Sequence, residues 1–179
     1  MISSHAKDSI ERIFHKAAQA RLLLDSGDVC EIVAIPQGVA DAMSEGNVVV
    51  LTISSIVFRL LLILHFDEDA STREYFAKDA ANGAFQEIFS EIANLCCGAM
   101  NQELLQYFPD LGMSTPYVLS ARCVPHLEEL KPDYLSSYAI TINQTVQIAA
   151  TVCVCAHQPI DFVADVSAIE ESCGELELF

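Results

Sequence analysis

Residues 47–66 read NVVVLTISSIVFRLLLILHF, about twenty positions dominated by Val, Ile and Leu. So many β-branched residues disfavour a helix and suit a pleated, buried surface. The run is too long for one ordinary strand. It therefore predicts two strands that fold back on each other at Ser54-Ser55, although neither Gly nor Asn marks a tight turn there. A second pair follows the same logic, Leu135 to Ile142 and Val146 to Cys155, turning at Asn143-Gln144-Thr145.

Each hairpin is preceded by the same two elements. Val29 to Pro36 is a short strand candidate, and Pro116 to Val124 is another, bounded by Pro125. Before the first lies a helix from Ser4 to about Leu24, with Ile10, Ile13, Phe14, Ala17, Ala18 and Leu22 at helical spacing and Gly27 beyond its end. Before the second lies the longest helix, Gly83 to Phe108, ended by Pro109. Its apolar side reads Phe85, Ile88, Phe89, Ile92, Leu95, Cys96, Ala99, Met100 and Leu104. Between the halves, Asp67 to Ser71 is an acidic break followed by a short helix to about Asn82. Pro36 and Pro125 are 89 residues apart, and hairpins beginning near Val48 and Ser137 share that offset. Helix, short strand and hairpin thus occur twice. The expected architecture is an α/β (α+β) sandwich with a pseudo-twofold axis, an antiparallel sheet covered by two long helices.

A chain of 179 residues fits a single domain, 1–179, whose acidic tail 159–179 has no assigned structure. The hydrophobic fraction of 52% and a mean hydropathy of +0.34 exclude a disordered chain. Nine Lys and Arg against 25 Asp and Glu give a net charge of −16, a field that repels nucleic acid and anionic lipid. The most apolar run, Ile56 to Phe66, carries Arg59 and His65 and is about half the roughly 20 residues of a membrane span. The first residues lack the basic end and apolar run of a signal peptide, so a cytoplasmic location is expected. Seven cysteines, mostly inside apolar runs, read as buried reduced thiols. No second pair with zinc-ligand spacing accompanies Cys153-Val154-Cys155, the vicinal Cys96-Cys97 is a weak metal or redox signal, and no metal is expected on the chain.

The polar side of the longest helix is the informative surface. Glu87, Glu91, Asn94, Gly98 and Asn101 are spaced by four, three, four and three residues and so line one face. Asn costs up to about 0.7 kcal/mol and Gly about 1 kcal/mol relative to Ala within a helix. Unfavourable residues on one face suit a surface where another protein approaches closely; the bland alternative is an ordinary solvated face. His65, His126 and His157 accompany no nucleophile motif and read as structural. Asp67-Glu68-Asp69 reads as a solvated loop without an EF-hand pattern.

The run Glu91-Ile92-Ala93-Asn94-Leu95-Cys96-Cys97-Gly98 resembles the Glu-x-x-Asn-x-x-x-Gly signature of the CheC/CheX/FliY phosphatases. Ser114-Thr115-Pro116 is similar to the Ser-x-Pro segment that follows that helix in the family. The order of elements matches as well, which implies a CheC-like fold over most of the chain. The first helix has Phe14 where a second Asn would stand, so the resemblance is to the CheX-like branch with a single active helix. Two positions depart from the pattern. Glu87 stands where the family usually has Asp or Ser, and the interval from Asn94 to Pro116 is about one residue short.

The resemblance implies a protein phosphatase acting on the aspartyl phosphate of a phosphorylated CheY-like receiver, in chemotaxis or related two-component signalling. Glu91 and Asn94 would be catalytic: Glu91 pairs with the receiver's active-site lysine, and Asn94 orients the attacking water. Glu87, Gly98, Asn101 and Pro116 would contact the partner. No cofactor is implied on this chain, because the divalent metal belongs to the receiver. A homodimer is a further candidate assembly. Two other readings stand beside this one. One is a non-catalytic adaptor of the same fold that binds a receiver or flagellar switch component. The other is a ligand sensor using the groove between the two long helices.

Overall fold

The structure, a computed structural model, describes residues 1–36, 46–78 and 84–165. Along the chain run α1 (Ser4–Leu22), β1 (Cys30–Ile35), β2 (Asn47–Ser54), β3 (Phe58–Phe66), α2 (Ala70–Ala77) and α3 (Phe85–Leu105). Then come β4 (Gly112–Met113), β5 (Tyr117–Ser120), a 3-10 segment (Ala121–Leu130), β6 (Tyr134–Ile142) and β7 (Val146–Ala156). The seven strands form one sheet in the order β1-β6-β7-β3-β2, with β4 and β5 both pairing to the outer side of β2. Every pairing of these strands is antiparallel.

The pairing pattern bears out the twofold reading. β1 pairs with β6, as β5 pairs with β2; the hairpins β2–β3 and β6–β7 correspond, and β3 meets β7 at the centre. Leu62 opposes Val152 and Ile63 opposes Thr151. With the 89-residue offset, Thr151 is the counterpart of Leu62 and Val152 of Ile63, so the pseudo-dyad passes between these pairs.

Strand alternation then decides which residues meet the helices. Val49, Leu51 and Ile53 of β2, with Leu60, Leu62 and Leu64 of β3, enter the main core beneath α1 and α3. Phe14 of α1 stacks over Tyr138 of β6, ring centroids 4.8 Å apart, and Phe89 of α3 meets Phe66 of β3 at 4.6 Å. α1 therefore covers the β6 side and α3 the β2–β3 side. The opposite face is covered by the 3-10 segment, which seals Val48, Val50, Ile63 and Cys153 under Ala121, Val124 and Leu127.

Three expectations change. The strand expected over Pro116–Val124 ends at Ser120, and Pro125 lies inside the 3-10 segment instead of bounding a strand. The Ser120 hydroxyl accepts the Arg122 N–H, capping that segment and ending the ladder. Asp69, expected in a solvated loop, is the N-cap of α2 and accepts from the N–H groups of Ser71 and Thr72. Leu95, placed on the apolar side of the long helix, is 46% exposed. The far end of the short helix expected to run to about Asn82, and the tail beyond Asp165, lie outside the described residues.

Candidate docking and catalytic face on α3

α3 buries Phe85, Phe89, Ile92, Ala93, Cys96, Cys97, Met100 and Leu104 against the sheet. At 3.6 residues per turn this leaves Glu87, Glu91, Asn94, Gly98 and Asn101 on the other side. Glu87 and Glu91 are exposed; Asn94, Gly98 and Asn101 are half-buried. The residues facing α1 are set by Glu103, whose carboxylate lies 2.7 Å from the Lys16 ammonium. By helical spacing, Asn94 and Asn101 lie on a different face of α3 from Glu103.

The edge of the sheet beyond β2 is the β4–β5 strip, and it is kinked. Ile53 pairs with Met113, but Val50 pairs with Tyr117, so the strip holds one residue more than β2 between these points. The extra residue makes a β-bulge at Thr115–Pro116, a position that tolerates a residue without an N–H. Ser114 fixes the bulge: its N–H donates to the Thr52 carbonyl at 2.9 Å, and its hydroxyl accepts the Thr52 N–H at 3.0 Å. Pro116 is half-buried on this strip, between Met113 (39% exposed) and Tyr117 (54% exposed). The Ser-Thr-Pro segment is thus fixed on the outer side of β2, the strand over which α3 also packs.

Among the described residues, neither the Glu91 carboxylate nor the Asn94 amide makes a hydrogen bond or ion pair, so both are open to an external partner. Gly98 has a plain structural reading: a Cβ built there meets nothing within 4 Å. Glycine is therefore not required by packing against a neighbour. The Asn101 side-chain oxygen is buried without a hydrogen-bond partner, a state that costs about 1–3 kcal/mol. Glu87 lies in the first turn of α3, where a carboxylate also complements the helix dipole.

The other singled-out groups lie elsewhere. His65 is buried on the sheet beside Thr151 at 3.3 Å, and Thr151 meets Ser137 at 2.9 Å. His126 contacts Glu129 at 2.9 Å. Burial pushes the Cys96 and Cys97 thiols up to about 12. Among the described residues no group of three or more His, Cys, Asp or Glu is arranged to hold a metal ion. None of their helices is long and apolar enough to cross a membrane. The exposed Leu95, Met113 and Tyr117 were missed as surface features because single apolar residues look like core in a sequence.

No protein-family profile matches the chain, and no curated protein matches it by sequence. Solved structures do. The CheX in the CheX–CheY–BeF3–Mg2+ complex from Borrelia burgdorferi superposes with a TM-score of 0.58 at 13% identity, covering 83% of this chain and 99% of that one. The chemotaxis protein CheX from Vibrio vulnificus gives 0.53 at 13% identity, over 85% and 99% of the two chains. Thermotoga maritima FliY gives 0.50 at 13% identity, over 87% and 91%. The chain has the fold shared by CheC-like, CheX and FliY proteins.

Proposed function

We propose that this chain, folded as the CheC-like, CheX and FliY proteins are, is a cytoplasmic chemotaxis phosphatase that docks a phosphorylated CheY-like receiver on α3 and hydrolyses its aspartyl phosphate. The observation that carries the reading is the pair Glu91 and Asn94: one turn apart, unengaged within the described chain, with Glu91 exposed and Asn94 half-buried on the side of α3 turned from the sheet. It is supported by a neighbour of the same fold solved as a CheX–CheY complex.

Glu91 pairs with a lysine of the receiver and fixes the docked orientation. Asn94 then lies beside the phosphoryl group, and its amide both accepts from and donates to the attacking water. A neutral amide does this without adding negative charge beside the phosphate. Phosphoryl transfer depends on positioning and charge stabilisation, so one well-placed amide suffices where no covalent step is needed. The divalent ion that neutralises the phosphoryl oxygens belongs to the receiver. Gly98 leaves the helix bare for close approach, with Asn101, Glu87 and Pro116 at the rim of the contact.

A second reading is an adaptor that binds a receiver or flagellar switch component without hydrolysis. It is favoured by Glu87 and by the short Asn94–Pro116 interval, both of which alter the geometry around Asn94. Loss of acyl phosphate from a panel of receivers, with and without this protein, separates the two. Acceleration supports the phosphatase, and binding without acceleration supports the adaptor.

A further inference from the structure

Lys16 of α1 meets Glu103 of α3 at 2.7 Å across the space between the two helices. Between them lies an outward-facing groove of about 480 Å3. Ala17, Ala20 and Ala99 line it with small side chains, and Lys16, Arg21 and Glu103 are its charged groups. Lys16 is engaged by Glu103. Arg21 is exposed and has no hydrogen bond or carboxylate within ion-pair reach among the described residues, in a chain with 25 acidic residues.

The groove is continuous with the α3 docking face. Glu91, Leu95 and Ala99 are four residues apart and form one ridge along the helix. The ridge leads from the proposed lysine-binding carboxylate, over an apolar side chain that is 46% exposed, into the groove. Leu95 is the one large apolar residue so exposed on the described α-helices.

We infer that the α1–α3 groove is the second half of the docking surface, taking an acidic segment of the receiver with an apolar contact on Leu95 and a carboxylate against Arg21. This rests on the receiver-docking reading above and adds to it a helix that carries no Glu-x-x-Asn. The surface becomes bipolar, negative at Glu91 and positive at Arg21. A partner must present a lysine and a carboxylate in the matching order, and a partner with that order reversed is rejected. α1 thereby selects which receiver is accepted, while α3 performs the chemistry.

The test is titration of the full-length chain with a receiver carrying BeF3 and Mg2+. Arg21→Glu should weaken binding roughly tenfold or more, Arg21→Lys should retain most of it, and Leu95→Gln should weaken it several-fold. Arg21→Gln removes the charge without placing an acid in the last turn of α1, so a folded variant is available for the measurement. Arg122→Glu, on the 3-10 segment at the opposite face of the sheet, should bind as wild type does. Wild-type affinity in folded Arg21→Glu and Arg21→Gln proteins overturns this inference and leaves receiver docking intact. A folded wild-type chain that binds no receiver overturns the docking reading itself.

Discussion

The Ser114 hydroxyl accepts the Thr52 backbone N–H at 3.0 Å and donates to the Thr115 carbonyl at 2.9 Å, so one side chain holds the bulge that carries Pro116. Ser114→Ala removes both bonds from a half-buried site. The expected cost is about 1 kcal/mol, read as a melting temperature lower by about 2–4 °C. Thr115→Ala, at an exposed neighbour, should leave it unchanged.

Gly98 is open above the helix surface, so its replacement tests function against stability directly. Gly98→Ala should stabilise the chain by about 1 kcal/mol through helix propensity. Gly98→Leu should also fold, yet lose receiver binding. A lower melting temperature for Gly98→Leu would mean that the residue packs inside, and unimpaired binding would remove it from the docking face.

Acid should release the clasp around Asp28. Its carboxylate accepts from the Tyr75 hydroxyl at 2.6 Å, the Asn143 amide at 2.6 Å and the Asp25 N–H at 2.9 Å, joining the α1–β1 loop to α2 and the β6–β7 turn. These bonds hold its pKa down to about 2. A depressed carboxylate stabilises the fold above its unfolded value near 3.9, and that contribution disappears as pH falls toward the folded value. Melting curves from pH 6 to pH 2 should show wild type losing its advantage over Asp28→Asn across this interval. An advantage that persists at pH 2 contradicts the assignment.

The buried thiols should be inert. With Cys96 and Cys97 pushed up to about 12 by burial, iodoacetamide at pH 8 should leave both unmodified until the chain unfolds. Peptide mass spectrometry reads the result. Chelators should leave the melting temperature unchanged, and a stoichiometric metal in the purified chain would contradict that.

Much of the sheet was legible because its signals are local. The β-branched runs and the 89-residue offset gave both hairpins, and Asn143 and Gln144 adopt the positive φ that the expected turn requires. The 3-10 segment was missed although Ala121, Val124 and Leu127 recur at intervals of three, the period of that helix. Pro125 was read as a boundary, and the apolar residues before it fitted a strand equally well. The Asp69 cap was obscured by its acidic neighbours. The Asp28–Tyr75–Asn143 clasp and the basic flank at Arg21 join residues far apart in sequence, and no local pattern announces them. The Glu91–Asn94 stripe was visible because helical spacing fixes which residues share a face; the half-burial of Asn94 and the bulge at Thr115–Pro116 came only with the fold.

Single-turnover loss of phosphate from a phosphorylated receiver, compared between wild type and Asn94→Ala, tests the central claim most directly. Ala is favoured in a helix, so the variant should fold as well as wild type. If Asn94 orients the water, its loss should slow dephosphorylation by about 10²-fold, as removing one preorganised polar group does elsewhere. Receiver affinity should be retained, because the lost contact acts in the transition state. Glu91→Ala should lose affinity and rate together. A folded Asn94→Ala protein that dephosphorylates its receiver at the wild-type rate contradicts the account.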